Sequence, residues 1–267
     1  MKNIILLSAI AALILLLGIS GREQASASAG GDAKVASALG VARVGGEDVL
    51  VEVFVAVAPG ASARDVAEHA LDEQGARPLE QGDLESAAYT TTGLVWDQFS
   101  DAVAGNDFVV QNYNPSKDPT GGAALAALQN THATWTNVPS SSFTFSYGGT
   151  TSRCPSLVRE CPGPQFYDGR NDVGWLRISG CCTLGVTWYS TTRDEADKAL
   201  NTSFKWSTSL PTPSGRFDVE TVFLHENGHV AGLGHSADPS AVMYASYNGV
   251  KRTLGADDVA GISALYP

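Results

Sequence analysis

Residues 225–235 read His225-Glu226-Asn227-Gly228-His229-Val230-Ala231-Gly232-Leu233-Gly234-His235 and contain three of the five histidines of the chain. Histidines four residues apart lie on one face of an α-helix, one turn apart, so two imidazoles can bind one metal ion. Gly232 allows the backbone to leave the helix, because glycine tolerates positive φ, and the turn returns His235 toward the other two. The spacing therefore predicts a helix over about residues 219–231, with Asp218 as its N-cap, and a three-histidine metal site.

Imidazole nitrogens are common ligands of Zn²⁺, and three protein ligands leave the fourth position open for water, as in catalytic zinc sites. Glu226 lies on the flank of the histidine face, where it is poorly placed as a ligand but well placed to contact that water. We therefore expect one catalytic zinc ion bound by His225, His229 and His235. Glu226 is expected to take a proton from the zinc-bound water.

The residues after the third histidine read Ser236-Ala237-Asp238-Pro239-Ser240-Ala241-Val242-Met243-Tyr244. Together with the extended histidine motif, this stretch resembles the matrixin branch of the metzincin zinc proteases, in its secreted, bacterial form. The resemblance covers about residues 107–267, with its motifs from residue 217 onward. It implies that Met243 is the Met-turn methionine beneath the zinc and that Tyr247 shapes the wall of the specificity pocket.

The resemblance also implies an α+β fold. This fold has a twisted, mostly parallel sheet with one antiparallel edge strand, two long helices and a C-terminal helical subdomain. Residues 183–189 alternate apolar with small or polar side chains, which is typical of an edge strand. By the resemblance, this strand pairs with an extended substrate through Leu184, Gly185 and Val186. Apolar spacing independently predicts helices over residues 123–135 and near the C-terminus.

The chain departs from the family pattern in several places. Only His69 and His132 lie outside the motif, so we expect no second, structural zinc site. Position 245 is Ala, so the tyrosine ligand of astacin-like relatives is not expected. For the acidic, turn-rich residues 167–172 a solvated turn is favoured, and a calcium site is the alternative.

The N-terminus carries Lys2 followed by an apolar run over residues 4–19 and then small residues. This pattern predicts a signal peptide over residues 1–29, cleaved after Ala27 or Ala29, and hence a secreted, extracellular protein. An uncleaved membrane anchor is the alternative.

Residues 30–105 are expected to form a small α/β segment that precedes the catalytic domain, residues 106–267. Residues 30–48 are rich in Gly and Ala and are expected to be loose. A strand is predicted over residues 49–57, a helix from Ser62 to about Gln74, and a further strand near residues 87–91. We expect a propeptide; a folding segment or a retained domain are the alternatives. No cysteine precedes residue 154, so only an acidic residue or steric cover could block the cleft.

The net charge of −11 argues against nucleic acid as a partner, because phosphate binding needs basic clusters. We expect a protein or peptide substrate, no membrane association after signal cleavage, and a monomer. Four cysteines behind a signal peptide predict two disulfides, with Cys181 and Cys182 each joined to one of Cys154 and Cys161. Free thiols are the alternative. A catalytically silent peptide-binding module and a processing protease specific for one partner are the rival functions.

Overall fold

The computed structural model describes residues 34–79, 96, 108–157, 168–180, 182–190 and 195–267. The predicted signal peptide (residues 1–29) and the strand predicted near residues 87–91 lie outside the described residues.

The strands of the described chain are β1 (Lys34–Val44), β2 (Glu47–Val57), β3 (Ala76–Pro78), β4 (Phe108–Tyr113), β5 (Thr144–Thr150), β6 (Asn171–Leu176), β7 (Thr183–Ser190), β8 (Ala196–Asn201), β9 (Trp206–Ser207) and β10 (Phe217–Asp218). The helices are α1 (Ala63–Glu73), α2 (Ala123–Thr136), α3 (Val219–Val230) and α4 (Ala256–Leu265). The mixture of strands and helices fits the predicted α+β class. Helices α2, α3 and α4 include the three segments that the apolar spacing predicts as helical.

Eight of the strands form one sheet in the order β3-β1-β2-β7-β8-β6-β4-β5. Strands β8, β6, β4 and β5 are parallel, and β7 is antiparallel to β8. This part of the sheet has the strand directions predicted for a metzincin domain. The parallel strands pack on α2 and α3 through a shared apolar core that includes Leu128, Trp175, Leu184 and Phe223.

The prediction that residues 183–189 form an edge strand is wrong, because β7 lies between β2 and β8 in the sheet. Strand β2 pairs antiparallel with the free side of β7, from Val49 opposite Ser190 to Val55 opposite Thr183. An uncovered strand edge offers unpaired N–H and C=O groups to any extended segment, and here the N-terminal part of the chain satisfies them. The sheet as a whole is therefore mixed rather than mostly parallel.

Two further expectations about the N-terminal region need correction. Residues 34–44, predicted to be loose, form β1, which pairs along its full length with β2. Their small side chains are weak strand formers, but pairing and the burial of Ala36 and Ala42 override this preference. The region also has no separate sheet among its described residues, because β1, β2 and β3 extend the sheet that contains β4 to β8.

Helix α1 covers the outer strands. It begins after Ser62, whose hydroxyl accepts a hydrogen bond from the Asp65 amide at 3.3 Å, and the chain leaves it through Gly75 at φ 67°. Buried Leu71 of α1 packs in one core with Val53 of β2 and Val186 of β7. The N-terminal elements and strand β7 therefore share an apolar core.

The described cysteines, Cys154 and Cys182, pack against the same core, and neither is a free thiol. The other two cysteines lie outside the described residues, so the pairing stays a prediction.

No helix in the described ranges combines the length and the apolar character needed to cross a bilayer.

Replacing Leu71 with Ala should lower the free energy of unfolding by about 2–5 kcal/mol, because it leaves a cavity in this shared core. Chemical denaturation followed by tryptophan fluorescence measures the change. Leu210→Ala is the matched control, since Leu210 is 60% exposed and should change stability little. Equal stability of Leu71→Ala and the parent chain would contradict the shared core.

Candidate active site

Helix α3 carries the first part of the histidine motif. Its N-cap is Asp218, which accepts hydrogen bonds from the amide and the hydroxyl of Thr221 at 2.8 and 2.7 Å. Arg252 holds the same carboxylate through two contacts of 3.1 and 2.5 Å. The helix ends at Val230, and Gly232 follows with φ 93°. The predicted cap and the predicted positive-φ turn are both present.

The imidazoles of His225 and His229 are oriented by backbone carbonyls. The Nδ1 of His225 lies 2.8 Å from the Val242 oxygen, and the Nδ1 of His229 lies 2.8 Å from the Leu233 oxygen. Each Nδ1 can therefore donate, which leaves the lone pair on Nε2. The two Nε2 atoms are 3.1 Å apart, and the ring of His235 stands 4.7 Å from that of His229.

Burial keeps these imidazoles neutral. It lowers the pKa of His225 to about 3 and that of His235 to about 4, and it holds the pKa of His229 well below its usual value. A tetrahedral ion with bonds of 2.0–2.1 Å requires ligand atoms about 3.3 Å apart. The spacing of the Nε2 atoms and their free lone pairs therefore fit Zn²⁺.

Glu226 is completely buried beside the histidines. One carboxylate oxygen accepts a hydrogen bond from the Thr187 hydroxyl of β7, and the other, Oε1, has no partner among the described residues. Burial, followed by the nearby charge of Glu52, raises the pKa of Glu226 well above its usual value. A Cβ atom at Gly185 would lie 3.1 Å from Oε1, so a glycine there leaves room for this carboxylate.

Glu52 of β2 is a site residue that sequence reasoning missed. It lies opposite Thr187 and is fully buried, and neither carboxylate oxygen has a hydrogen-bond partner in the described structure. Its Oε1 is 3.4 Å from Nε2 of His235 and 3.7 Å from Nε2 of His229. Burial raises the pKa of Glu52 to about 8. Glu52 is the one charged residue in the apolar run of residues 49–57, and this anomaly could have revealed it.

Glu52 and the three histidines place one ligand atom each within 4.8 Å of one another. Within the described ranges they are the one group of His, Cys, Asp or Glu residues with this geometry. Three neutral imidazoles and a carboxylate form a donor set that suits zinc.

Strands β1 and β2 make further contacts with the motif. The ring of Phe54 stacks on that of His225 with centroids 4.6 Å apart, and the Ser37 hydroxyl lies 2.7 Å from Nε2 of His235. Beside Phe54 a cavity of about 10 Å³ remains, lined by residues that include Thr221, Val242 and Tyr247. Tyr247 thus lies in the wall of a pocket next to the histidines. Its role in specificity stays a prediction, as do those of Leu184, Gly185 and Val186 in β7.

Met243 is buried and packs against α3 at Gly228, and its role as the Met-turn methionine stays a prediction. A Cβ atom at Gly228 would collide with its sulfur and would lie 2.9 Å from the Trp135 ring. The turn itself is held by Asp258, which accepts hydrogen bonds from the amides of Val242 and Met243 at 2.7 and 2.9 Å. The spacing of the motif did not reveal the roles of Gly228 and Asp258.

A buried lysine supports the back of α3. The ammonium of Lys198 in β8 donates to the side-chain oxygen of Asn227, and it lies 5.5 Å from the centre of the Phe223 ring. The amide of Asn227 in turn donates to Thr131 of α2 at 2.7 Å. Burial lowers the pKa of Lys198 well below its usual value. These contacts fix α3 against both the sheet and α2.

The alternative of a calcium site in the acidic turn is not supported. The guanidinium of Arg153 already contacts Asp168 at 3.0 Å and Asp172 at 2.6 Å. Glu195 accepts hydrogen bonds from the amides of Asp168 and Gly169. The carboxylates of Asp168 and Asp172 are therefore paired with Arg153, and the carboxylate of Glu195 binds backbone amides.

His132, outside the motif, is a core residue hydrogen-bonded to Gln111 at 2.8 Å.

Replacing Asp258 with Ala should lower the affinity for zinc about 10- to 100-fold, because the Val242 carbonyl that orients His225 loses its support. The unfolding free energy should fall by about 3 kcal/mol, since the change leaves buried amides without acceptors. Competition with a chromophoric chelator measures the first quantity and denaturation the second. Asp257→Ala is the control, because Asp257 is the adjacent acid in the same helical turn. Unchanged zinc affinity in Asp258→Ala would contradict this role.

Comparison with known proteins finds similar sequences around the site. The matrixin family model matches residues 165–267. Metalloendoproteinase 1 of Glycine max is 30% identical over 148 residues, 53% of this chain and 45% of the relative. Matrix metalloproteinase-20 of Homo sapiens is 42% identical over 73 residues, 26% of this chain and 14% of the relative. Matrilysin of Rattus norvegicus is 52% identical over 48 residues, 17% of this chain and 18% of the relative.

The matched part thus spans less than half the length of each of these relatives. The matrixin match includes the three histidines, Glu226, Met243 and helix α4. The shared sequence and the geometry of the site thus make residues 165–267 similar to the matrixin metalloproteases.

Proposed function

We propose that the chain is a secreted zinc endopeptidase. The observation that carries this proposal is the convergence of three neutral imidazoles on one point, with the buried carboxylate of Glu226 beside them. The match of residues 165–267 to the matrixin family model supports the same activity. The proposed zinc ligands are His225, His229 and His235.

When bound there, zinc would polarise the carbonyl of the scissile peptide bond and lower the pKa of a water molecule. Glu226 would take the proton from the attacking water and deliver it to the leaving nitrogen. The Thr187 hydroxyl holds one oxygen of this carboxylate and leaves Oε1 without a partner among the described residues. The low polarity of the surroundings raises the pKa of Glu226, which favours a group that first accepts and then releases a proton.

An extended substrate would bind along β7 by strand addition, through the backbone of Leu184, Gly185 and Val186. A side chain of the substrate would enter the pocket next to His225, with Tyr247 in its wall. The wall of this pocket combines the aromatic side chains of Tyr244 and Tyr247 with polar ones, including Asn248 and Lys251.

The organisation of the chain is part of the proposal. Residues 1–29 would be the signal peptide, 30–105 a propeptide and 106–267 the catalytic domain of a monomer. Two disulfides would link Cys154 and Cys161 to Cys181 and Cys182. The bonded state of Cys154 and Cys182 supports the disulfides, and the apolar run after Lys2 supports secretion.

Glu226→Gln should retain zinc and lose proteolysis of casein by about 10²- to 10⁴-fold, because the amide cannot accept the proton. Activity and zinc content are measured on the intact chain and on the chain after limited digestion with immobilised trypsin. Glu220→Gln is the matched control, since it makes the same chemical change on the same helix, away from the histidines. Activity must also disappear with a zinc chelator.

Full activity of Glu226→Gln would contradict the assigned mechanism. Absence of chelator-sensitive proteolysis from every form of the parent chain, with zinc bound, would favour a silent peptide-binding module. Cleavage of one partner protein but not of casein would indicate a processing protease.

A further inference from the structure

We propose that strand β2 is a built-in inhibitor: it occupies the substrate groove, and the carboxylate of Glu52 binds the zinc at the position that catalysis needs open. This inference rests on the proposed zinc endopeptidase function. It gives residues 34–79 a defined role and assigns a fourth protein ligand to the metal.

The backbone register places β2 where an extended substrate would pair with β7. Strand β2 lies antiparallel to β7 and pairs with Gly185, Val186 and Thr187 through Phe54, Val53 and Glu52. Gly185 and Val186 are among the positions of β7 at which an extended substrate would add as a strand. Because β7 has β8 on its other side, a substrate cannot pair with β7 while β2 is in place.

The carboxylate of Glu52 lies next to the histidines of the motif. Its Oε1 lies within 3.7 Å of the Nε2 atoms of both His229 and His235, which is close to the separation of ligands around one zinc ion. Burying a charged carboxylate costs several kcal/mol in solvation free energy. A cation held jointly with the histidines would offset this cost. Four protein ligands close a zinc site, whereas a catalytic site keeps one position for water.

The side chain of Phe54, two residues after Glu52, also faces the site. Side chains at positions i and i+2 point to the same face of a strand, so Phe54 follows Glu52 toward the site. It stacks on His225 and lines the pocket that contains Tyr247, where the remaining cavity of about 10 Å³ has barely room for one water molecule. Glu52 and Phe54 thus cover both the metal position and the pocket beside it.

Strand β2 is held in the groove by β1 and by a shared apolar core. Strand β1 pairs with β2, and its Ser37 contacts His235 and the carbonyl of Ala245 at 3.3 Å. Strand β2 and helix α1 also bury apolar side chains in one core with β7. Since the inhibitor belongs to the same chain, its effective concentration at the groove is high, and a free peptide competes poorly.

The carboxylate explains how the cleft can be closed without a thiol. No cysteine precedes residue 154, so the described N-terminal region offers no thiolate ligand. Glu52 offers an anionic oxygen ligand instead, and the conversion to an open site requires only that β2 separate from β7.

The test compares the full-length chain, loaded with Co²⁺ in place of zinc, with Glu52→Gln and Glu52→Ala. Visible absorption reports the metal ligands directly. We expect the spectrum of the parent chain to resist a small hydroxamate and those of both variants to shift with it, because their fourth position is open. The rate of zinc loss to a chromophoric chelator should rise at least about tenfold in both variants, as should casein cleavage by the uncut chain.

The matched control is Val53→Ala, on the adjacent residue whose side chain enters the core on the other face of the sheet. It weakens the packing of β2 without removing the carboxylate, so its Co²⁺ spectrum should match that of the parent chain. If Glu52→Ala fails to fold, Glu52→Gln keeps the shape of the side chain and gives the same comparison.

A Co²⁺ spectrum unchanged by both Glu52 variants would overturn the ligand assignment. Casein cleavage by the uncut parent chain at the rate of the Glu52 variants would overturn the inhibition. If the spectrum shifts but no form cleaves peptides, Glu52 is a ligand and the proposed protease function fails. If cleavage occurs without any spectral difference, the protease function stands and this inference fails.

Discussion

Two hydrogen bonds from imidazole to backbone determine the rest of the site. The carbonyls of Val242 and Leu233 hold Nδ1 of His225 and His229, so both Nε2 atoms point to the same place. The first carbonyl comes from the turn that contains Met243, and Asp258 at the start of α4 anchors that turn. The metal site therefore depends on the C-terminal part of the chain as much as on α3.

This constraint explains why residues far apart in sequence act together. Gly228 allows Met243 to approach α3, and Asp218 links the start of the same helix to Arg252. On the opposite side, Lys198 and Asn227 join α3 to β8. The helix is thus held at its start and along two faces, which fixes the histidines before any metal binds. Such preorganisation is what a zinc site of defined geometry requires.

The sequence allowed the local features to be predicted well. Spacing alone predicted α3, its cap at Asp218 and the positive φ of Gly232, because helix periodicity and capping are short-range effects. The same reasoning did not predict that β2 covers β7. Strand pairing between residues 52 and 187 is a long-range contact that leaves no periodic signal in either segment, and the resemblance to a family began only near residue 107. The pattern of residues 49–57 therefore predicts a strand but no role for Glu52.

One metal ion is proposed to join the histidines of the motif to a carboxylate of the N-terminal region. A crystal structure of the intact, zinc-loaded chain, with an anomalous difference map at the zinc edge, would show the ligands of that ion. We expect one zinc peak bound by His225, His229, His235 and Glu52, with β2 paired to β7. A zinc ion with water as its fourth ligand and Glu52 turned away, or no peak at the histidines, would contradict it.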